Sequence, residues 1–105
     1  MNNQKEIVLA MIKKQVREID PLADIILYGS RARGDARPDS DWDILILVNS
    51  TADIETEKVF RHKLFDVELE LGQVFSTFVY NKEEWNSKHW MTPLFKNIVN
   101  EGIMI

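Results

Sequence analysis

The sequence predicts an α+β fold (mixed α/β), a small mixed β-sheet flanked by helices. Three observations lead there. Segments with apolar residues at three- and four-residue spacing recur along the chain; two short, nearly continuous apolar runs stand between them; and glycine, proline and asparagine fall at the joins.

Residues 4–19 place Val8, Met11, Ile12, Val16 and Ile19 at helical spacing with Lys and Gln between them, an amphipathic helix. Asp20-Pro21 ends it, because a residue before proline avoids the helical region. Ile25-Ile26-Leu27-Tyr28 reads as a strand covered on both faces, and Gly29-Ser30 breaks it. A short helix is expected over residues 31–34, a loop to Ser40, and a second strand over residues 42–48. Residues 52–71 return to helical spacing through Ile54, Val59, Phe60, Leu64, Val67 and Leu71, with Gly72 as the stop. Residues 74–80 read as a third strand. A short helix follows over residues 82–90, capped by Asn81 with Glu84 three positions on. Thr92-Pro93 opens a last helix that Gly102 ends. The apolar end Ile103-Met104-Ile105 fits a tail tucked into the core, an edge strand, or a contact with a second protein.

The chemistry is concentrated in residues 29–43, Gly-Ser-Arg-Ala-Arg-Gly-Asp-Ala-Arg-Pro-Asp-Ser-Asp-Trp-Asp. Alternate residues of a strand share a face, so Asp41 and Asp43 project together and Trp42 points the other way. Two such carboxylates repel unless a cation lies between them, and Asp43 runs straight into the apolar stretch 44–48, where an unpaired charge is expensive. Magnesium takes one or two carboxylates and completes its shell with substrate phosphates. One or two Mg2+ ions held by Asp41 and Asp43 are therefore preferred over solvated turn aspartates. Gly29 allows a close backbone approach to an anion, the Ser30 hydroxyl adds a donor, and Arg31 and Arg33 can make charge-assisted bonds to phosphate. Two other motifs fail. Gly29 and Gly34 have P-loop spacing, but Asp35-Ala36 stand where lysine and a hydroxyl residue are needed. A calcium loop starting at Asp39 would need glycine at Ile44 and glutamate at Ser50.

At 105 residues, with 45% hydrophobic and 29% charged residues, the chain is expected to be one globular domain over residues 1–105. A net charge of -4 makes nucleic acid an unlikely partner, while three arginines gathered in one loop still suit a small anion. There is no cysteine, the start Met1-Asn2-Asn3-Gln4-Lys5-Glu6 has no apolar leader, and no apolar run approaches the roughly 20 residues of a membrane span. A cytoplasmic protein without a membrane partner is expected. His62 and His89 have no second ligand at metal spacing and are assigned to surface or packing roles, and Trp42, Trp85 and Trp90 to core or partner packing.

Gly29-Ser30, ten intervening residues and Asp41-Trp42-Asp43, set in Tyr28-Gly-Ser-Arg-Ala-Arg-Gly and Ser40-Asp-Trp-Asp-Ile-Leu, resemble the signature of the minimal nucleotidyltransferases of the DNA polymerase β superfamily. The resemblance implies the polymerase β-like palm fold, with Asp41 and Asp43 as catalytic metal ligands. It also implies that Gly29 and Ser30, with Arg31 and Arg33 in support, bind the nucleotide phosphates. The implied reaction moves a nucleoside monophosphate, AMP from ATP, to an unidentified acceptor. Family members of this size resemble antitoxins that pair with and modify a small helical HEPN-type protein, so such a partner, or a homo-oligomer, is expected to complete the acceptor site. One departure stands out. The family usually carries a third carboxylate on the next strand, where this chain has Val74-Phe75-Ser76-Thr77-Phe78-Val79, with Ser76 or Thr77 at the corresponding position. Glu68 and Glu70 fall on the preceding helix. A nucleotide-binding antitoxin module without turnover is therefore the alternative expectation.

Overall fold

The computed structural model describes residues 4–105; Met1, Asn2 and Asn3, the beginning of the polar start noted above, lie outside the described residues. Its elements run α1 (Gln4–Ile19), β1 (Asp24–Tyr28), α2 (Ser30–Arg33), β2 (Trp42–Val48), α3 (Ile54–Leu71), β3 (Phe75–Asn81), α4 (Lys82–Lys88), α5 (Pro93–Glu101) and β4 (Ile103–Met104). The strands form one mixed sheet in the order β3-β2-β1-β4. β1 and β2 are antiparallel, with Asp24 opposite Leu47 at one end and Tyr28 opposite Asp43 at the other. α3 is the crossover that lets β3 lie parallel to β2, from Trp42 opposite Phe75 to Val48 opposite Asn81.

Both inner strands are apolar on both faces because helices cover both. On one side Ile25, Leu27, Trp42, Ile44, Ile46 and Val48 pack against Val8, Ile12 and Val16 of α1 and Phe60 and Leu64 of α3. On the other, Tyr28, Leu45 and Leu47 pack against Trp85 of α4 and Ile98 of α5. The pleat thus divides one continuous hydrophobic run between two cores, which is why periodicity within the run carries no alternation. α4 and α5 begin on the caps expected of their sequences, Asn81 accepting from the Glu84 N–H at 3.0 Å and Thr92 from the Phe95 N–H at 3.2 Å, and α3 begins on Asp53, which accepts from the Thr56 N–H at 2.9 Å.

The structure adjusts several expectations. The α3 stripe is narrower: Phe60, Leu64 and Val67 are buried, whereas Ile54 is 71% and Val59 52% exposed. The helix lies on the sheet over its middle turns and its first turn overhangs. Val74 precedes β3, and its carbonyl accepts the Trp42 N–H at 2.8 Å. Gly72 ends α3 in the left-handed region (φ 64), but Gly102 is extended (φ −67, ψ 140) and leads directly into β4. The C-terminal end takes the edge-strand option, Ile103 opposite Leu27 and Met104 opposite Ile26. Trp42 and Trp85 are core residues, while Trp90 lies beyond α4 on the surface. His89 packs its ring 4.6 Å from Tyr80 and 5.7 Å from Trp85. Among the described residues no helix is long and apolar enough to cross a membrane.

Leu64→Ala is expected to cost about 2–5 kcal/mol in chemical denaturation, the range for emptying a core site. Ile54→Ala should stay within about 0.5 kcal/mol despite its place in the same apparent stripe.

Candidate active site

The ends of β1 and β2 meet at the Tyr28–Asp43 pair, and the parallel register adds Ser76, so Tyr28, Asp43 and Ser76 form one row across the sheet. Directly after Tyr28 the chain turns at Gly29, buried, with φ 73 and ψ −160. Glycine is required twice over. The positive φ disfavours a side chain, and a Cβ there would land on the Oδ2 of Asp43. The Asp43 carboxylate is therefore held against bare backbone at the entrance to α2. Gly29 O accepts from the N–H groups of Ala32 and Arg33, both at 3.0 Å, and Gly34, with φ 89, closes the four-residue helix.

Asp41 stands exposed just ahead of β2, and its neighbours on both sides are fastened. Ser40 Oγ accepts the Arg37 N–H at 2.8 Å, and the Ser40 N–H returns to the Arg37 carbonyl at 3.0 Å. Trp42 is buried and donates Nε1 to Gln73 Oε1 at 2.9 Å. Arg31 ties these pieces together. Its Nη2 donates to the Ser40 carbonyl at 2.9 Å and the Pro38 carbonyl at 3.3 Å, and its guanidinium lies 4.5 Å from the centre of the Trp42 ring. The structure thus engages Arg31 in shaping the loop that presents Asp41.

Arg33 has a different setting. Its Nη1 contacts Glu101 Oε2 at 2.6 Å and its Nε contacts Asp35 Oδ2 at 3.1 Å. Glu101 is a residue that sequence reasoning missed. It closes α5 immediately before β4, and the β1–β4 pairing brings it beside the Tyr28 end of the row. Only that long-range pairing reveals it; the local signal is no more than an acid preceding a glycine stop.

Electrostatics bind the group together. Burial, then Asp41, then Glu101 raise the Asp43 carboxyl above its ordinary range, and Arg33 only partly opposes them. Tyr28, buried and facing Asp43, Tyr80 and Glu101, is pushed up to about 12. The site is short of positive charge. Its donors are oxygens, without His or Cys, which suits a hard divalent cation. Among the described residues no three His, Cys, Asp or Glu side chains gather into a ready-made metal cage. A cation here would need oxygen ligands from a substrate as well. On β3, Ser76 lies opposite Asp43, whereas Thr77 pairs with Ile44 and is buried. Glu68, by contrast, accepts the Phe75 N–H at 3.1 Å and joins α3 to β3.

A family model described as the nucleotidyltransferase domain matches residues 9–104. The chain belongs to that family. A comparison with curated proteins finds no match. Among solved structures, the nucleotidyltransferase-family chain is similar to a toxin-antitoxin crystallised with AMP-PNP: TM-score 0.65, 23% identity, covering 99% of this chain and 72% of the other. A mutant of the toxin-antitoxin MntA-HpeT superposes with TM-score 0.63 at 21% identity, again over 99% and 72%. A protein from Sulfolobus solfataricus described as a nucleotidyltransferase gives 0.55 at 21% identity, over 97% and 82%. At these identities the likeness is one of fold, the polymerase β-like nucleotidyltransferase fold that the motif implied.

Two predictions follow from the packing of Asp43. Gly29→Ala should destabilise the protein by about 1–3 kcal/mol, because the new methyl group sits on a positive-φ residue and must displace the Asp43 carboxylate; urea denaturation measures it. Because the native carboxyl binds its proton more tightly than the unfolded one, Asp43 lowers stability as pH rises from the ordinary carboxylate range through its raised value. Asp43→Asn should therefore melt above wild type at pH 7 in EDTA, and the gap should narrow on acidification toward the ordinary carboxylate range.

Proposed function

We propose that this domain transfers a nucleoside monophosphate, AMP from ATP, to a hydroxyl acceptor, with Mg2+ held by Asp41 and Asp43. The observation that carries this reading is the Asp43 carboxylate lodged against Gly29 with Asp41 beside it: two acids at a glycine–serine turn, their mutual repulsion only partly offset by Arg33. Mg2+ at that pair would supply positive charge against the triphosphate and the attacking and leaving oxygens. Asp41 is aimed by the loop that Arg31 braces, and Asp43 is fixed by β2. The space a Gly29 side chain would fill is taken by the Asp43 carboxylate, so phosphate oxygens would meet the turn at the Gly29–Ser30 backbone N–H groups and at the Ser30 hydroxyl, which can donate to them. Arg33, roughly half exposed, is the guanidinium with freedom to turn toward phosphate. The acceptor oxygen bonds to the α-phosphorus as the bond to the β-phosphate oxygen breaks and pyrophosphate leaves. Ser76, opposite Asp43, is no base at neutral pH, so the acceptor's proton passes to the substrate's own phosphate oxygens.

The toxin-antitoxin neighbours, one with AMP-PNP, support a protein as the acceptor and an antitoxin role for the domain. A helical HEPN-type toxin is the partner this reading adopts, encountered in the cytoplasm. Ser76 also favours a second reading, in which the module binds nucleotide and partner without turnover.

Incubation with α-labelled ATP, Mg2+ and a HEPN-type partner should label the partner and release pyrophosphate. Asp41→Ala combined with Asp43→Ala should reduce labelling by at least about a hundredfold, the scale of losing a principal electrostatic stabiliser. Undiminished labelling in that variant would refute the mechanism. Mg-ATP binding without pyrophosphate release from any acceptor would establish the second reading.

A further inference from the structure

Glu101 is the charged group at the site that the proposed reaction leaves without a task, and it is paired with Arg33, the guanidinium assigned to phosphate. Glu101 is fixed. Its side chain is only 17% exposed, it ends α5, and Gly102 behind it donates to the Ile98 carbonyl at 2.7 Å while having no room for a Cβ between that carbonyl and Ile26. Arg33 is the looser member, 48% exposed, at the far end of a four-residue helix that starts at the Gly29–Ser30 turn. Their contact, 2.6 Å, therefore joins the phosphate turn to the C-terminal segment. Leu27 opposite Ile103 puts residue 102 next to Tyr28, so Glu101 stands at the end of the row containing Asp43. Its charge reaches Asp43, where it adds to that of Asp41 while Arg33 subtracts.

We propose that Arg33 and Glu101 form an exchange pair: the arriving metal-bound nucleotide draws Arg33 onto its phosphates, and the Glu101 carboxylate, released from Arg33, faces the cation at Asp41 and Asp43. Glu101 then contributes a third negative charge to the field at the site, delivered by α5 and β4 rather than by the strand position occupied by Ser76. Without ligand, Arg33 cancels Glu101, so three carboxylates do not repel one another unrelieved. With ligand, each partner trades one opposite charge for another at little net cost. Glu101 is a positioning residue here, acting on the cation through its field and on the phosphates through Arg33. This inference rests on the nucleotide and metal assignment above.

The two partners predict opposite signs, which a structural tether cannot imitate. Glu101→Gln frees Arg33 and removes a negative charge. Metal-free ATP, titrated in EDTA, should bind about fivefold tighter, and Mn2+ followed by electron paramagnetic resonance in the presence of ATP about fivefold weaker, the scale of one partly exposed charge. Arg33→Gln uncovers Glu101, so Mn2+ alone should bind about fivefold tighter while metal-free ATP binds more weakly. If Glu101→Gln leaves both affinities unchanged, or weakens both together with a fall in melting temperature, the exchange is overturned and the nucleotide assignment survives. If the unaltered protein binds neither Mn2+ nor ATP, both are overturned.

Discussion

The site hangs on one close approach, the Asp43 carboxylate against the backbone of Gly29. It follows from the antiparallel register that sets Tyr28 opposite Asp43, because the residue after Tyr28 must turn away exactly where β2 begins to bury its side chains. A shift of register by one residue would put Trp42 on the polar face and turn Asp43 into the α1–α3 core, displacing Ile44 and Ile46 to the opposite face. The two hydrophobic cores are what forbid it. Trp42, Ile44 and Ile46 belong to the α1–α3 side, Leu45 and Leu47 to the α4–α5 side, and each strand residue has a face it must occupy. The packing that stabilises the domain is also the device that aims its carboxylates.

Much of this was written locally. The glycine–serine break, the nearness of Asp41 to Asp43 and the apolar runs around them depend on neighbours in sequence, and so do the caps at Asn81 and Thr92. What was not legible depends on distant pairing. Ile54 and Val59 satisfy helical spacing, yet no local signal says where α3 overhangs the sheet. Arg31 and Arg33 look equivalent in the motif, two residues apart. The fold separates them: one is stacked on Trp42 and bonded to the loop, the other faces Glu101 across 68 residues of chain. Glu101 itself enters only because Ile103 and Met104 add an edge strand beside β1, one of three options the terminal residues left open.

Ser76 shows why strand register matters more than composition at such a site. Ser76 and Thr77 are both hydroxyl residues, adjacent, and indistinguishable as stand-ins for an acid when read in sequence. Pairing with Asp43 puts Ser76 in the polar row, and pairing with Ile44 buries Thr77. Arg61 further closes that strand's outer side by donating to the Thr77 carbonyl at 2.9 Å. The row Tyr28–Asp43–Ser76 therefore has acid at its centre, a phenol held protonated on one side and a hydroxyl on the other.

The charge balance of that row bears on how an acidic chain can take an anionic substrate. Arg31 is committed to the loop and Arg33 to Glu101 and Asp35, so neither cation stands idle beside Asp41 and Asp43. A bare triphosphate would meet two carboxylates and two arginines already engaged. Under the proposed reading, a divalent cation must arrive with the nucleotide, because only it can satisfy the aspartates and the phosphates at once. On that reading, the burial and neighbouring acids that raise the Asp43 carboxyl also favour the metal-bound form of the substrate over the free one. Selectivity of that kind needs no pocket built for the ion. It needs an anionic row held rigid, and the two-sided core provides the rigidity.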